Sequence, residues 1–273
     1  MLRPSPLHVA RYDIGGDEHL GWKDDDHFIR LDAPPWENGV ETGARDRLSD
    51  ARLLPSVRSS KIVCVGLNYR AHIAESLTVA PDAKPPEEPL LFLKPPSAVI
   101  GADEPICYPA GVTRLDPEAE LAVVMGRRVR HVIAEDAPSY VAGLTALNDV
   151  SARNLQKQDG QWTRAKGFDT FAPLGPWVTV GLPAERLDVV CRVNGTVRQH
   201  GNTSDLLFPV ARLVSFISYV MTLEPGDVIV TGTPAGVGLG RKVEPKYLRA
   251  GDVVTLGIEG LGEQKQKIIP FKM

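Results

Sequence analysis

The stretch Arg114-Leu-Asp-Pro-Glu-Ala-Glu-Leu-Ala-Val-Val-Met-Gly126 constrains this chain more than any other. Leu121 to Met125 are apolar without interruption and end at Gly126, a pattern that predicts a buried β-strand. Glu118 and Glu120 stand two residues apart at its mouth, so strand geometry puts both carboxylates on one face. Two like charges carried toward a core repel and are costly to desolvate unless a cation, a proton or a basic side chain lies between them. The alternatives are a hard divalent metal site and a solvated strand end.

The chain has the material for a sizeable core: 273 residues, 43% of them hydrophobic, suit one large domain or one with a small appendage. A net charge of −3 with scattered Lys and Arg leaves no electrostatic footprint for nucleic acid or an anionic membrane, so small molecules are the expected partners. No apolar run approaches a membrane span, and Met1-Leu-Arg-Pro-Ser-Pro lacks the apolar core of a secretory signal, which leads us to expect a cytoplasmic protein. Cys64, Cys107 and Cys191 lie far apart in apolar runs and read as buried thiols.

Short alternating runs at His8–Tyr12 and His27–Leu31 predict hairpins, and the polar stretch from Glu37 to Asp50 reads as a connection to the main body. This gives a small N-terminal β domain over 1–55 and a catalytic domain over 56–273. Lys61-Ile-Val-Cys-Val-Gly66 predicts a strand, Asn68 a helix N-cap, and Tyr69 to Glu75 a helix; the proline-rich Thr78 to Glu88 reads as a mobile loop beside it. Tyr140 to Leu147 runs as a strand into Asn148-Asp149. A helix beginning near Asp149 would group Asp149, Arg153 and Gln156 on one face. Lys166 to Trp177, rich in Gly and Pro, reads as a shaped loop. Asn194-Gly195 predicts a type I′ hairpin turn, Leu206 to Met221 an amphipathic helix, and Gly226-Asp-Val and Gly251-Asp-Val two strand starts. Strands dominate and no regular βαβ alternation appears, so the fold class is mixed, β-rich α+β.

Glu118, Glu120 and Asp149 offer three hard oxygen ligands, suited to Mg2+ or Mn2+ rather than to zinc. His72 and Glu75, three apart on a helix, pair a candidate general base with the carboxylate that orients it; a surface ion pair is the plain alternative. Lys166 is a candidate ammonium for a developing negative charge. Thr231-Gly-Thr-Pro-Ala-Gly-Val-Gly238 has the composition to present backbone N–H groups to an anion, but it lacks the lysine of a phosphate-binding loop and the dinucleotide glycine spacing.

Taken in order, Gly66-Leu-Asn-Tyr-Arg-Ala-His72, Phe92-Leu-Lys-Pro-Pro96, Glu118-Ala-Glu-Leu-Ala, Asn148-Asp-Val-Ser-Ala-Arg153, Asp159-Gly-Gln-Trp-Thr-Arg-Ala-Lys-Gly-Phe-Asp169 and the Thr231–Gly238 run resemble the fumarylacetoacetate hydrolase family, from about Lys61 onward. The similarity is to its acylpyruvate hydrolase, oxaloacetate decarboxylase and homoprotocatechuate-pathway isomerase branch. The resemblance implies a β-roll fold, usually a homodimer, Mg2+ or Mn2+ on Glu118, Glu120 and Asp149, a His72/Glu75 dyad on a lid helix, and Lys166 in the pocket. It also implies that Arg153, Gln156 and Thr233 line the substrate site. Asn154, where the family often has Asp, and Pro117 depart from the pattern without removing a ligand. The expected activity is hydrolysis of a carbon–carbon bond in a 2,4-dioxo acid of the acylpyruvate type. The alternatives are decarboxylation of oxaloacetate or a related β-keto acid, isomerisation of a muconate-type dienoate, and a non-enzymatic dicarboxylate-binding module.

Overall fold

The computed structural model describes residues 6–77, 84–241, 244 and 246–271. The acidic strand forms as Ala119–Met125, every residue of it buried, in the middle of the main sheet. Val141–Asn148 pairs with it on one side and Val228–Val230 on the other, both antiparallel. Ile62–Gly66 and then Leu90–Lys94 extend the sheet beyond Val228–Val230; Ala172–Val180 extends it beyond Val141–Asn148. Side chains alternate across the strand as a period of two demands. Leu121, Val123 and Met125 enter one core with Val189, Cys191, Val254, Leu256 and Ile268 of a second, five-stranded sheet, and Ala122 and Val124 enter another with Cys64, Leu147 and Leu174. A central strand covered on both faces has no solvated side, which is why its sequence is apolar throughout.

Among the described residues four α-helices punctuate the strands: α1 (Arg70–Leu77), α2 (Arg153–Asp159), α3 (Thr163–Lys166) and α4 (Val210–Val220). Among the described residues no helix is long and apolar enough to cross a membrane. The N-terminal strands Leu7–Ile14, Asp17–Asp24, His27–Leu31 and Glu41–Arg47 form a meander around Tyr12 stacked on Phe28, ring centroids 4.3 Å apart. Leu7–Val9 pairs with Val178–Val180, so the meander continues the main sheet.

Several expectations are corrected. Glu37–Asp50 is more than a connection, because Glu41–Arg47 is the outermost strand of the meander; almost all of it is exposed, so no apolar alternation betrays it. The Lys166–Trp177 region is only partly a loop: Ala172–Val180 is a strand despite Pro173 and Pro176. It is held by three partners in turn, Val99–Ile100, Val141–Asn148 and Leu7–Ile14, and the Gln264 amide donates to the carbonyls of Pro173 and Gly175. The helix expected near Asp149 begins at Arg153, because Ser151–Ala152 first pairs with Leu115–Asp116. The helix expected from Leu206 begins after Pro209, as the restriction on residues preceding proline favours. Asn68 does not cap α1; its side chain joins Phe208 and Thr231, and Asp205 receives the Ala71 N–H instead. Cys64 and Cys191 are buried as expected, while Cys107 is only half-buried. Asn194 and Gly195, with φ of 51° and 79°, form the expected turn. Residues 78–83 of the proposed mobile loop lie outside the described residues.

Candidate active site

Strand register assembles the acidic group. Ala119 lies opposite Asn148, so Glu118 and Asp149 stand side by side one step beyond the paired residues, and the Asp149 N–H donates to the Glu118 carbonyl at 2.9 Å. One oxygen from each of Glu118, Glu120 and Asp149 lies within 4.8 Å of the others, and all three residues are buried. Arg153, at the start of α2, donates from Nη2 to Glu118 Oε1 at 2.5 Å and from Nε to Asp116 at 2.9 Å. Lys166, at the end of α3, donates to Glu118 Oε2 and to Asp149 Oδ2, the latter at 2.5 Å. Lys94 donates to the other Asp149 oxygen at 2.6 Å.

Four buried carboxylates, Asp116, Glu118, Glu120 and Asp149, therefore face three buried cations, Lys94, Arg153 and Lys166. Burial opposes ionisation of Glu118, yet Arg153 and then Lys166 outweigh it and hold this carboxyl well below the usual range. Glu120 goes the other way: burial first, then Asp149 and Glu118, push its carboxyl well above the usual range. Among the described residues no Lys or Arg pairs with Glu120, whose Oε2 accepts only the Gly232 N–H, at 2.6 Å. Tyr69, with Glu120 among the charges acting on it, has a buried hydroxyl without a hydrogen-bond partner among the described residues. Three hard oxygen donors converging around a charge deficit fit a divalent cation such as Mg2+ or Mn2+ and do not suit a thiophilic ion.

A cavity of about 630 Å³ opens onto this group, lined by all three carboxylates and by His72, Arg153, Gln156, Lys166 and Thr233. His72 Nδ1 lies 3.0 Å from Glu75 Oε2, and Glu75 Oε1 accepts the Gly236 N–H at 3.0 Å. Gln156 accepts from Arg153 at 3.0 Å. Thr233 reaches the cavity, but its hydroxyl serves the protein, donating to the Ala119 carbonyl and accepting from Gln199 Nε2. Phe92 and Trp162, with ring centroids 5.1 Å apart, line the same cavity, and Trp162 packs on Gly66, where a Cβ would come 2.7 Å from the indole. Every site residue named from the sequence except Glu75 thus lines one cavity, and Glu75 is joined to it through His72.

The glycine-rich run does present N–H groups to anions, and the anions are the protein's own: Gly232 serves Glu120, Gly236 serves Glu75, and Gly238 serves Asp116. Lys94 and Asp116 are the contributors that sequence reasoning missed. The signals were there: a lone cation closing the apolar Leu90–Leu93 run, and an acid two residues before Glu118 that carries the same period of two.

The profile described as "Fumarylacetoacetate (FAA) hydrolase C-terminal" matches residues 61–269. The chain belongs to the fumarylacetoacetate hydrolase family. A second profile, "Rv2993c-like, N-terminal", matches residues 8–55. Over 268 residues the chain is 42% identical to Protein Rv2993c of Mycobacterium tuberculosis, covering 97% of this chain and 96% of that protein. It is also 42% identical to a 2,4-didehydro-3-deoxy-L-rhamnonate hydrolase of Sphingomonas sp. SKA58, covering 97% of each. Among solved structures, a 5-carboxymethyl-2-hydroxymuconate delta-isomerase from Mycobacterium smegmatis superposes with a TM-score of 0.86 at 40% identity, over 97% of this chain and 100% of that one. A relative named as a hydrolase and a structure named as an isomerase thus both match this chain along nearly its whole length.

Proposed function

We propose that the chain is a divalent-metal-dependent hydrolase that cleaves a carbon–carbon bond in a 2,4-dioxo acid of the acylpyruvate type. The observation that carries this reading is the meeting, in one cavity, of the acidic triad with a histidine already oriented by a carboxylate. A binding module needs no such base. Glu118, Glu120 and Asp149 would hold Mg2+ or Mn2+, which supplies a Lewis acid for the 2-oxo acid end and for the enolate released on cleavage.

The remaining roles belong to side chains. With Nδ1 donating to Glu75, His72 keeps Nε2 for the proton of a water molecule, and the hydroxide adds to the distal carbonyl. The carbon–carbon bond then breaks, its electron pair passing into the enolate of the 2-oxo acid fragment. Lys166 commits two of its three N–H donors to Glu118 and Asp149, leaving one for the substrate anion. Burial opposes its charge, but Asp149 and Glu118 raise its pKa above the ordinary value, which favours the ammonium form. The Sphingomonas relative supports the substrate class, since its name describes a sugar acid oxidised at C2 and C4.

A second reading, isomerisation of a muconate-type dienoate through a similar enolate, is favoured by the name of the M. smegmatis structure. Metal-loaded protein offered acylpyruvates, oxaloacetate and muconate-type acids, with products identified, decides between them. Hydrolysis also requires that His72→Ala lower turnover of an acylpyruvate by roughly two to four orders of magnitude. Decarboxylation of oxaloacetate needs no activated water and should lose much less. Equal losses on both substrates would remove His72 from the role of water-activating base.

A further inference from the structure

The base proposed above depends on Glu75, and much of what fixes Glu75 lies outside its own helix. Oε2 faces His72 and Oε1 accepts the Gly236 N–H, so both ends of the carboxylate are committed. Against it lies Gly240. A Cβ placed there would fall 2.2 Å from Glu75 Cγ and 2.3 Å from both Cδ and Oε1, well inside van der Waals contact. Gly240 is not among the residues with positive φ, so a side chain here would compete with Glu75 for space and would not strain the backbone.

The backbone on either side of this contact is held, so the Glu75 side chain is what gives. Two other glycines anchor the 231–240 loop, Gly232 through Glu120 and Gly238 through Asp116, and Asp116 in turn holds Arg153. Gly236 has φ of 109° and only 2.0 Å between a hypothetical Cβ and the Arg198 carbonyl, which pins the centre of the loop. Helix α1 is fixed at its first turn, where Asp205 accepts the Ala71 N–H and Arg70 donates to the Leu206 carbonyl. A methyl group at position 240 would therefore be relieved by rotating the Glu75 side chain, which breaks its contact with His72, with Gly236, or with both.

We propose that Gly240 is a positioning residue: the 231–240 loop acts as a latch whose missing side chain sets the place of Glu75, and through Glu75 the orientation of His72. The proposal rests on reading His72 and Glu75 as the base. It adds that one short loop fixes the metal-side carboxylate Glu120 and the base-side carboxylate Glu75 together, so the two halves of the site keep a common frame.

The test is a double-mutant cycle of Gly240→Ala and Glu75→Ala. Gly240→Ala should lower kcat roughly ten- to hundredfold, as misplacement by about an ångström does, with KM and calorimetric Mn2+ affinity within about twofold of wild type. Hydrogen exchange should quicken in α1. In the Glu75→Ala background, where the obstructed side chain is gone, Gly240→Ala should add nothing to either readout. Additive losses, or a Gly240→Ala variant indistinguishable from wild type, would overturn the proposal. Should Gly240→Ala alone not fold, the Glu75→Ala/Gly240→Ala protein must fold and match Glu75→Ala in α1 exchange; its failure to do so would overturn the proposal equally. If the wild type hydrolyses no dioxo acid, the functional reading fails, and the exchange arm of the cycle still decides whether the latch exists.

Discussion

Lys94 holds a carboxylate of the acidic group from outside the cavity lining. Its ammonium holds Asp149 Oδ1 at 2.6 Å and lies 3.4 Å from the Val150 carbonyl, with the side chain wholly enclosed. Removing one partner of a buried pair leaves an uncompensated charge, at a cost of about 3–5 kcal/mol. Because Lys166 still holds Asp149 Oδ2, we expect Lys94→Met to lose stability at the lower end of that range, about 3 kcal/mol, in denaturant unfolding, whereas a surface exchange such as Lys157→Met should fall within about 0.5 kcal/mol of wild type. The acidic pair and the His72/Glu75 spacing were legible in the sequence because strand and helix periods alone place them. The partner of Lys94 was not, because it lies 55 residues away and is reached only through the pairing of five strands.

At the scale of elements, the Glu41–Arg47 strand could not be seen in the sequence, since it buries little and is held by polar contacts. Asp46 on that strand accepts from Tyr12 at 2.8 Å and from Arg30 Nη2 at 2.8 Å, tying three strands of the meander together. Arg30 chiefly, with Tyr12, holds the Asp46 carboxyl below its usual pKa, burial opposing. A carboxyl whose folded pKa is depressed adds stability above its unfolded pKa, about 3.9, and loses that contribution as pH falls through the folded value. Asp46→Asn should cost about 1 kcal/mol at pH 7, and its unfolding midpoint should converge on that of wild type as pH falls through the depressed folded pKa. Helix α1 carries an element-scale expectation of its own. Its first turn is tied to Asp205 and Leu206, and Glu75, nearer its end, to the Gly236 N–H. Oxalate with Mg2+ should slow hydrogen exchange across α1; unchanged exchange on saturation would contradict a lid.

On the scale of the whole molecule, the main sheet runs without interruption from the N-terminal meander through the site-bearing strands. A ligand that binds only the folded site should therefore stabilise the entire chain. Saturation at about a hundred times Kd contributes about 2.7 kcal/mol, which for a chain of this length is a rise of roughly 5–10 °C in Tm. Mg2+ added to chelator-stripped protein should give such a shift in scanning calorimetry, and Glu120→Gln should abolish it. The four tryptophans are spread over that same body. Trp22 and Trp36 belong to the N-terminal region and Trp177 to the strand that joins it to the rest, so Trp162, resting on Gly66 beside Phe92, is the one whose indole lines the site cavity. The protein thus carries its own optical reporter: a 2-oxo acid entering the cavity should alter the emission of Trp162 saturably and only with metal present, and Trp162→Phe should silence the signal.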